Sequence, residues 1–268
     1  MNRGATDRST ANRGGPPPTD TGTVDLPGAR SALGRGTAVV LPNPAPLTSV
    51  VAATGPGTVN AAKGRPVGQP VALWAHHPDT LAALDEALAL AAPAAALAGR
   101  LLAEEHLTLL VPLRADGPPP GWLAPAAKDG WALLFGASWA PLRPLLARFP
   151  LLYVSSANRT GRPPAARAAD AVAMFPPGTA VLGTADLPGA DTATEPVSPG
   201  PTGPTGPTAP EPARRATTTL RLHPDGSLDL YRHGAQDHRH GDTATYLRHL
   251  RRTYRAPDRR TATDGESG

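Results

Sequence analysis

The run Ser155-Ser156-Ala157-Asn158-Arg159-Thr160-Gly161 gathers hydroxyls, an amide and a guanidinium at the end of an apolar segment of strand length, Leu151 to Ser155. In α/β sheets ligands collect at the carboxyl ends of strands, and neutral donors there suit a phosphate or a carboxylate. The same residues also suit an ordinary hydroxyl-rich connection in which Asn158 or Gly161 supplies a left-handed position. A nucleophilic serine is disfavoured because no partner base is marked in the sequence. The second candidate is Lys63-Gly64-Arg65-Pro66, two cations on a tight turn ahead of the strand-like Pro70 to Trp74. Charge and backbone N–H groups can hold a phosphate in such a place; the alternative is a solvated basic turn. His76-His77 offers two imidazoles, but neighbours on a strand point to opposite faces, so surface histidines are expected and no metal ligands are assigned.

Most familiar enzyme signatures are absent. There is no Gly-x-Gly-x-x-Gly behind a strand, no Walker loop, no Gly-x-Ser-x-Gly elbow and no His-Glu-x-x-His. The chain has no Cys, which excludes disulfides, thiolate metal sites and cysteine nucleophiles. Twenty-six basic and 22 acidic residues leave a net charge of +4, mildly favourable for a polyanionic partner. Lys63 and Lys128 are the only lysines, so the lysine in the basic turn stands out in an arginine-using chain.

The elements that position these residues read as a mixed α/β pattern. Short apolar runs at Thr37 to Leu41, Pro70 to Trp74, Leu107 to Val111, Trp131 to Phe135, Leu151 to Ser155 and Thr179 to Leu182 predict strands. Helical patterns lie between them at Pro78 to Leu90, Ala94 to Ala103, Trp139 to Phe149 behind a possible Ser138 cap, and Ala165 to Phe175. Thr218 to Leu222 and Ser227 to Tyr231 flank Pro224-Asp225-Gly226, the turn chemistry of an antiparallel hairpin. An amphipathic helix, Thr243 to Tyr254, closes the pattern with arginines around an apolar side. Together these predict a mixed sheet with flanking helices in a single α/β domain spanning 31–235, followed by a polar tail, 236–268, that carries the short basic helix.

Pro and Gly number 34 and 28, and Phe, Trp and Tyr together make 4% of the 268 residues, so part of the length is expected to lack structure. The expected segments are 1–30, the Pro/Thr/Gly-rich insertion at 188–215, and the end of the tail. The most apolar stretch, Leu81 to Leu102, holds Asp85, Glu86, Pro93 and Arg100, which a bilayer span does not accept readily. With no apolar signal segment at the start, a cytoplasmic location away from membranes is expected.

In order along the chain, these pieces resemble the YrdC-like family of threonylcarbamoyl-adenylate synthases. The family's Lys-x-Arg-Pro turn is matched by Lys63 to Pro66, and its Ser-Ala-Asn-x-Ser-Gly loop by Ser156 to Gly161 with Thr160 for the second Ser. Its Ser-Thr-Val strand is matched by Thr218-Thr219-Leu220, and its Leu-Arg-x-Gly end by Arg232 to Gly234. Of its Pro-Gly-Pro-x-Thr segment Thr108 alone survives. The resemblance implies a YrdC-like twisted mixed sheet and a nucleotidyltransferase activity. ATP, L-threonine and bicarbonate would give threonylcarbamoyl-AMP and pyrophosphate for tRNA threonylcarbamoyladenosine formation. It further implies ATP as substrate with Mg²⁺, and a nucleotide site made by Lys63, Arg65, Thr108, Ser156, Asn158, Thr218 and Arg232. No protein nucleophile is needed, since aligning the reactants and offsetting phosphate charge suffices. Some members are associated with double-stranded RNA, so a non-catalytic RNA- or nucleotide-binding module is the alternative.

Three departures bear on that expectation. The family's Pro-Thr-Asp/Glu-Thr-x-Tyr-Gly opening, which helps hold threonine and the carbamate, is Pro42-Asn43-Pro44-Ala45-Pro46-Leu47-Thr48 here. Glu104-Glu105-His106 replaces Pro-Gly-Pro and would set two carboxylates where the nucleotide strand begins. Leu134-Phe135 stands where the family has Val-Arg, removing a cation expected near threonine. At about 1–3 kcal/mol for each lost hydrogen bond to a buried substrate, the threonine half is more eroded than the nucleotide half.

Overall fold

The computed structural model describes residues 22–185, 187 and 214–254. Expectations for 1–21, for most of the Pro/Thr/Gly insertion and for 255–268 lie outside the described residues. The chain begins with helix α1 (Leu26–Gly34), started by Pro27 in its first turn and capped by Asp25, whose carboxylate accepts from Gly28 N at 2.8 Å. Folded structure therefore starts before the expected boundary at 31. Strands β1 (Val39–Leu41) and β2 (Val50–Ala53), helix α2 (Pro56–Lys63), strand β3 (Ala72–Trp74) and helices α3 (Pro78–Ala87) and α4 (Ala92–Glu104) follow. Next come β4 (Thr108–Pro112), β5 (Ala127–Lys128), β6 (Trp131–Phe135), α5 (Arg143–Leu146), β7 (Tyr153–Ser156), α6 (Ala168–Met174) and β8 (Ala180–Val181). Beyond the insertion lie β9 (Thr219–Leu222), β10 (Leu228–Arg232), α7 (Ala235–His238) and α8 (Thr243–Thr253).

One mixed sheet runs in the order β10, β9, β4, β6, β3, β7, β2, β1, β8, with β5 paired to β6 at the side. Its pairings mix parallel (β1 with β8, β3 with β6, β4 with β9) and antiparallel (β2 with β7, β9 with β10) contacts. Successive side chains alternate between two cores, as strand geometry requires. Val40, Val51, Leu73, Leu109 and Leu134 face one side, under Val59 of α2, Leu101 of α4, Ala171 of α6 and Tyr246 and Leu250 of α8. Val39, Val50, Ala72, Trp74, Phe135 and Val154 face the other, under Leu33 of α1 and Leu145 and Leu146 of α5. On this second face α1 packs on β1 and β8 with α5 beside it. The stretch from β2 and β7 through β3, β6, β4 and β9 to β10 is left for the site.

Several elements differ from their sequence patterns for identifiable reasons. The expected helix Trp139 to Phe149 breaks into a 3₁₀ turn, Ala140–Leu142, and one turn of α5, because Pro141 and Pro144 interrupt the ladder. Ser138 does not cap it; its N–H donates to His106 Nδ1 at 3.2 Å. Helix α8 belongs to the folded body and not to a tail, since Tyr246, Leu250 and Tyr254 are buried in the first core. His76 and His77 are not loose surface residues: His76 Nε2 lies 3.1 Å from Phe149 O, tying the end of β3 to the segment after α5, and His77 Nδ1 accepts from Asp79 N to cap α3. No described helix is long and apolar enough to cross a membrane.

Candidate functional site

Helix α2 delivers the basic turn. Gly64 closes it in the left-handed conformation, φ +66°, and its neighbour's amide, Arg65 N, bonds Asn60 O at 2.9 Å, so the chain reverses and Arg65 points off the helix end. Lys63, in the last turn, is 1% exposed. Its Nζ donates to the backbone carbonyl of Ser156 and, at 2.9 Å, to Asn158 Oδ1. Asn158 in turn accepts from Ser156 Oγ at 2.6 Å and donates to Arg162 O at 2.8 Å, so one amide ties the lysine, the end of β7 and the following loop together. Burial, and then the charge of Arg65, lower the Lys63 pKa to about 7. The two stretches singled out in the sequence therefore meet in direct contact.

Beside this junction lies a cavity of about 200 Å³ on the second face of the sheet. Arg65 and Arg232 reach it from opposite sides, with Thr108, Thr217, Thr219, Ser155 and Ser156 between them and Asn43 and Thr48 at one margin. Val50, Val154, Leu133 and Phe135 form its apolar wall. Not one lining residue is a carboxylate. Desolvation lowers the pKa of both guanidinium groups, which in proteins stay charged, so the cavity is a cationic recess lined with hydroxyl groups. Arg65 also reaches toward Ser155 Oγ at 3.4 Å, and the Thr108 and Thr217 hydroxyls share a hydrogen bond of 2.6 Å.

Four of the seven expected residues, Arg65, Thr108, Ser156 and Arg232, line the cavity. Lys63 and Asn158 stand behind it and hold its floor. Thr218 belongs elsewhere. It is buried on the side of β9 away from the cavity, where its hydroxyl donates to Asp237 Oδ1 at 2.6 Å and accepts from the amides of Gln236 and Asp237 at the start of α7. Strand alternation makes this unavoidable: Thr217 and Thr219, on either side, face the cavity. Burial alone would raise the Asp237 pKa, but hydrogen bonds from Thr218, His233 and Gly234 carry it below the ordinary value. Gly234 is required at this junction, because a Cβ there would lie 2.2 Å from Thr218 N.

The acidic pair ahead of β4 does not oppose the site. Glu104 closes α4 and pairs with Arg100 at 3.2 Å, while Glu105 accepts from the Tyr254 hydroxyl at 2.9 Å. The positive φ of His106, +55°, turns the chain from α4 into β4, leaving both carboxylates behind. Asn43 is a site residue that the pattern of motifs did not single out. Its amide donates to Thr48 O at 2.9 Å, closing the Pro-rich loop at the cavity margin.

The sequence matches no protein-family model and no curated protein. Solved structures do resemble it. Sua5 of P. abyssi, crystallised with L-threonine, superposes with a TM-score of 0.52 at 18% identity over 78% of this chain, which spans 54% of that protein. Full-length HypF in a phosphate- and nucleotide-bound form gives 0.52 at 15% identity, over 80% of this chain and 30% of that one. E. coli YciO gives 0.52 at 13% identity, over 79% of this chain and 90% of that one. The chain thus spans about half the length of Sua5 and nearly all of YciO. The mixed sheet that carries Arg232 and leads into the hydroxyl loop, with Arg65 brought beside them by α2, is the YrdC-like fold.

Proposed function

We propose that this chain binds ATP in the cavity and transfers its adenylyl group to the carbamate of an amino acid, as threonylcarbamoyl-AMP synthases do. The observation that carries the reading is the convergence of Arg65, Arg232 and seven hydroxyl-bearing side chains on a recess with no carboxylate in its lining. Guanidinium groups fix phosphate oxygens in a plane, and hydroxyl donors complete the shell. The crystallisation of one fold neighbour with L-threonine and of another with phosphate and nucleotide supports the same assignment.

In this reaction the threonine amine condenses with bicarbonate, losing water, to give a carbamate, whose oxygen attacks the α-phosphorus of ATP. The bond from that phosphorus to the bridging oxygen breaks, and pyrophosphate leaves with the electron pair. The chain's part is to hold the triphosphate between Arg65 and Arg232, with Thr108, Thr219 and Ser156 donating to its oxygens. Lys63 and Asn158 fix the loop that presents Ser155 and Ser156. The lining offers hydroxyl and amide oxygens only, and no group of three candidate metal ligands occurs among the described residues. These donors would suit a Mg²⁺ held with the help of phosphate oxygens, and its charge would offset that of pyrophosphate. The apolar wall at Leu133 and Phe135 removes polar contacts to the amino acid, so weak selectivity for threonine follows from it.

Pyrophosphate release in the presence of ATP, L-threonine and bicarbonate tests the reading; release should require all three. ATP binding without turnover favours a second reading, a non-catalytic nucleotide- or RNA-binding module. One observation speaks for it: His240, Arg248, His249 and Arg252 line an open depression on α8, across the sheet from the cavity. RNA held there should dissociate steeply as salt rises.

A further inference from the structure

The end of β10 breaks the alternation that governs the rest of the sheet. Leu230 faces Leu220 of β9 and packs on the first core, which turns Tyr231 to the opposite face, and the next residue would ordinarily turn back. Instead the register shifts between Leu230 and Arg232, a bulge, and Arg232 pairs with Thr219. Two consecutive side chains, Tyr231 and Arg232, therefore both line the cavity. Bulges beside sites re-aim side chains in this way.

Tyr231 is 60% exposed although it lines the cavity, so its ring is accessible to a bound molecule. It is also braced. The Arg221 guanidinium sits 5.4 Å from the Tyr231 ring centroid and 4.8 Å from that of Trp131 on β6. Arg221 Nε is buried without a hydrogen-bond partner, and the carboxylate opposite it in the ladder, Asp229, is taken by His223 Nε2 at 2.8 Å. The guanidinium is thus held by rings and not by a carboxylate. Trp131 lies on the same face of β6 as Leu133 and Phe135, so this aromatic and cationic surface continues the cavity along the sheet.

The geometry points to Tyr231 as the platform on which the aromatic base of a bound nucleotide stacks, with Arg221 and Trp131 fixing the ring and Arg232 next to it engaging the phosphates. This deepens the nucleotide reading above and rests on it. Stacking on a protein aromatic tolerates any base, because each base has a flat π-face, so the subsite selects for a nucleotide over inorganic polyphosphate without choosing among bases.

Calorimetric titration of the full chain with ATP and, separately, with inorganic tripolyphosphate tests it. The parent protein should bind ATP more tightly than tripolyphosphate. Tyr231→Ala should weaken ATP by roughly 5- to 100-fold while leaving tripolyphosphate unchanged, and Tyr231→Phe should retain ATP affinity. Equal affinities of the parent for the two ligands, an unchanged ATP affinity in Tyr231→Ala, or an equal loss for both ligands would overturn the stacking role while leaving the phosphate site intact. Failure of the parent to bind either ligand would overturn the nucleotide reading and the platform with it.

Discussion

Lys63 Nζ lies 2.9 Å from Asn158 Oδ1, although the two residues are 95 positions apart in the chain. This contact joins the end of α2 to the loop after β7, and it decides what Lys63 does. A lysine whose Nζ is engaged with a carbonyl and an amide oxygen, and whose stem is buried, positions the hydroxyl loop and does not itself line the recess.

Truncating that side chain should therefore cost stability first. Lys63→Ala removes a buried stem and one of the hydrogen bonds accepted by each of Asn158 Oδ1 and the Ser156 carbonyl, a loss of about 2–4 kcal/mol. Urea unfolding measures it. A change below the error of the method would mean that the clamp is not formed.

The same lysine makes stability depend on pH with a definite sign. Its pKa is about 7 in the folded chain against an ordinary 10.5. Between these values the unfolded chain binds more protons than the folded one, so stability rises with pH from about 7 toward 9. Lys63→Met, which keeps the apolar stem and cannot be charged, should flatten that rise. Identical slopes for the two proteins in urea melts at pH 7, 8 and 9 would contradict the assignment.

Thr218 and Thr219 are adjacent and should behave differently. Thr218→Val removes a hydroxyl that caps α7 and satisfies the Asp237 carboxylate, so it should lower stability by about 1–3 kcal/mol. Thr219→Val is nearly isosteric and faces the cavity, so it should weaken ATP binding with little change in unfolding. Paired denaturation and binding measurements separate the two, and the reverse pattern would show that β9 presents the other face.

This pair also shows where sequence reasoning reached its limit. The segment Thr218 to Leu222 was legible as a strand opening on hydroxyls, but which hydroxyl faces the cavity depends on register, and a one-residue shift exchanges the faces. The sheet itself was well marked: Trp131 to Phe135 is β6 to the residue, and the Pro-Asp-Gly turn joins β9 and β10 as expected. Strand β2, Val50–Ala53, was not identified, being four small apolar residues behind a Pro-rich loop with no alternation to signal it. Helix α2 was missed although Pro56 in its first turn and Gly64 just past its end are start and stop signals; Gly57 within it obscured the pattern. The hydrogen bond of Glu105 with Tyr254 could not be read from sequence, because it depends on α8 returning to the sheet 149 residues later.

If Arg65 and Arg232 grip one triphosphate across the cavity, titration of ATP into the parent chain, Arg65→Gln and Arg232→Gln will show it. Saturable, salt-sensitive binding to the parent is expected, with each substitution weakening it about tenfold or more, the worth of one charged hydrogen bond. No binding to the parent, or full affinity in both variants, would contradict it.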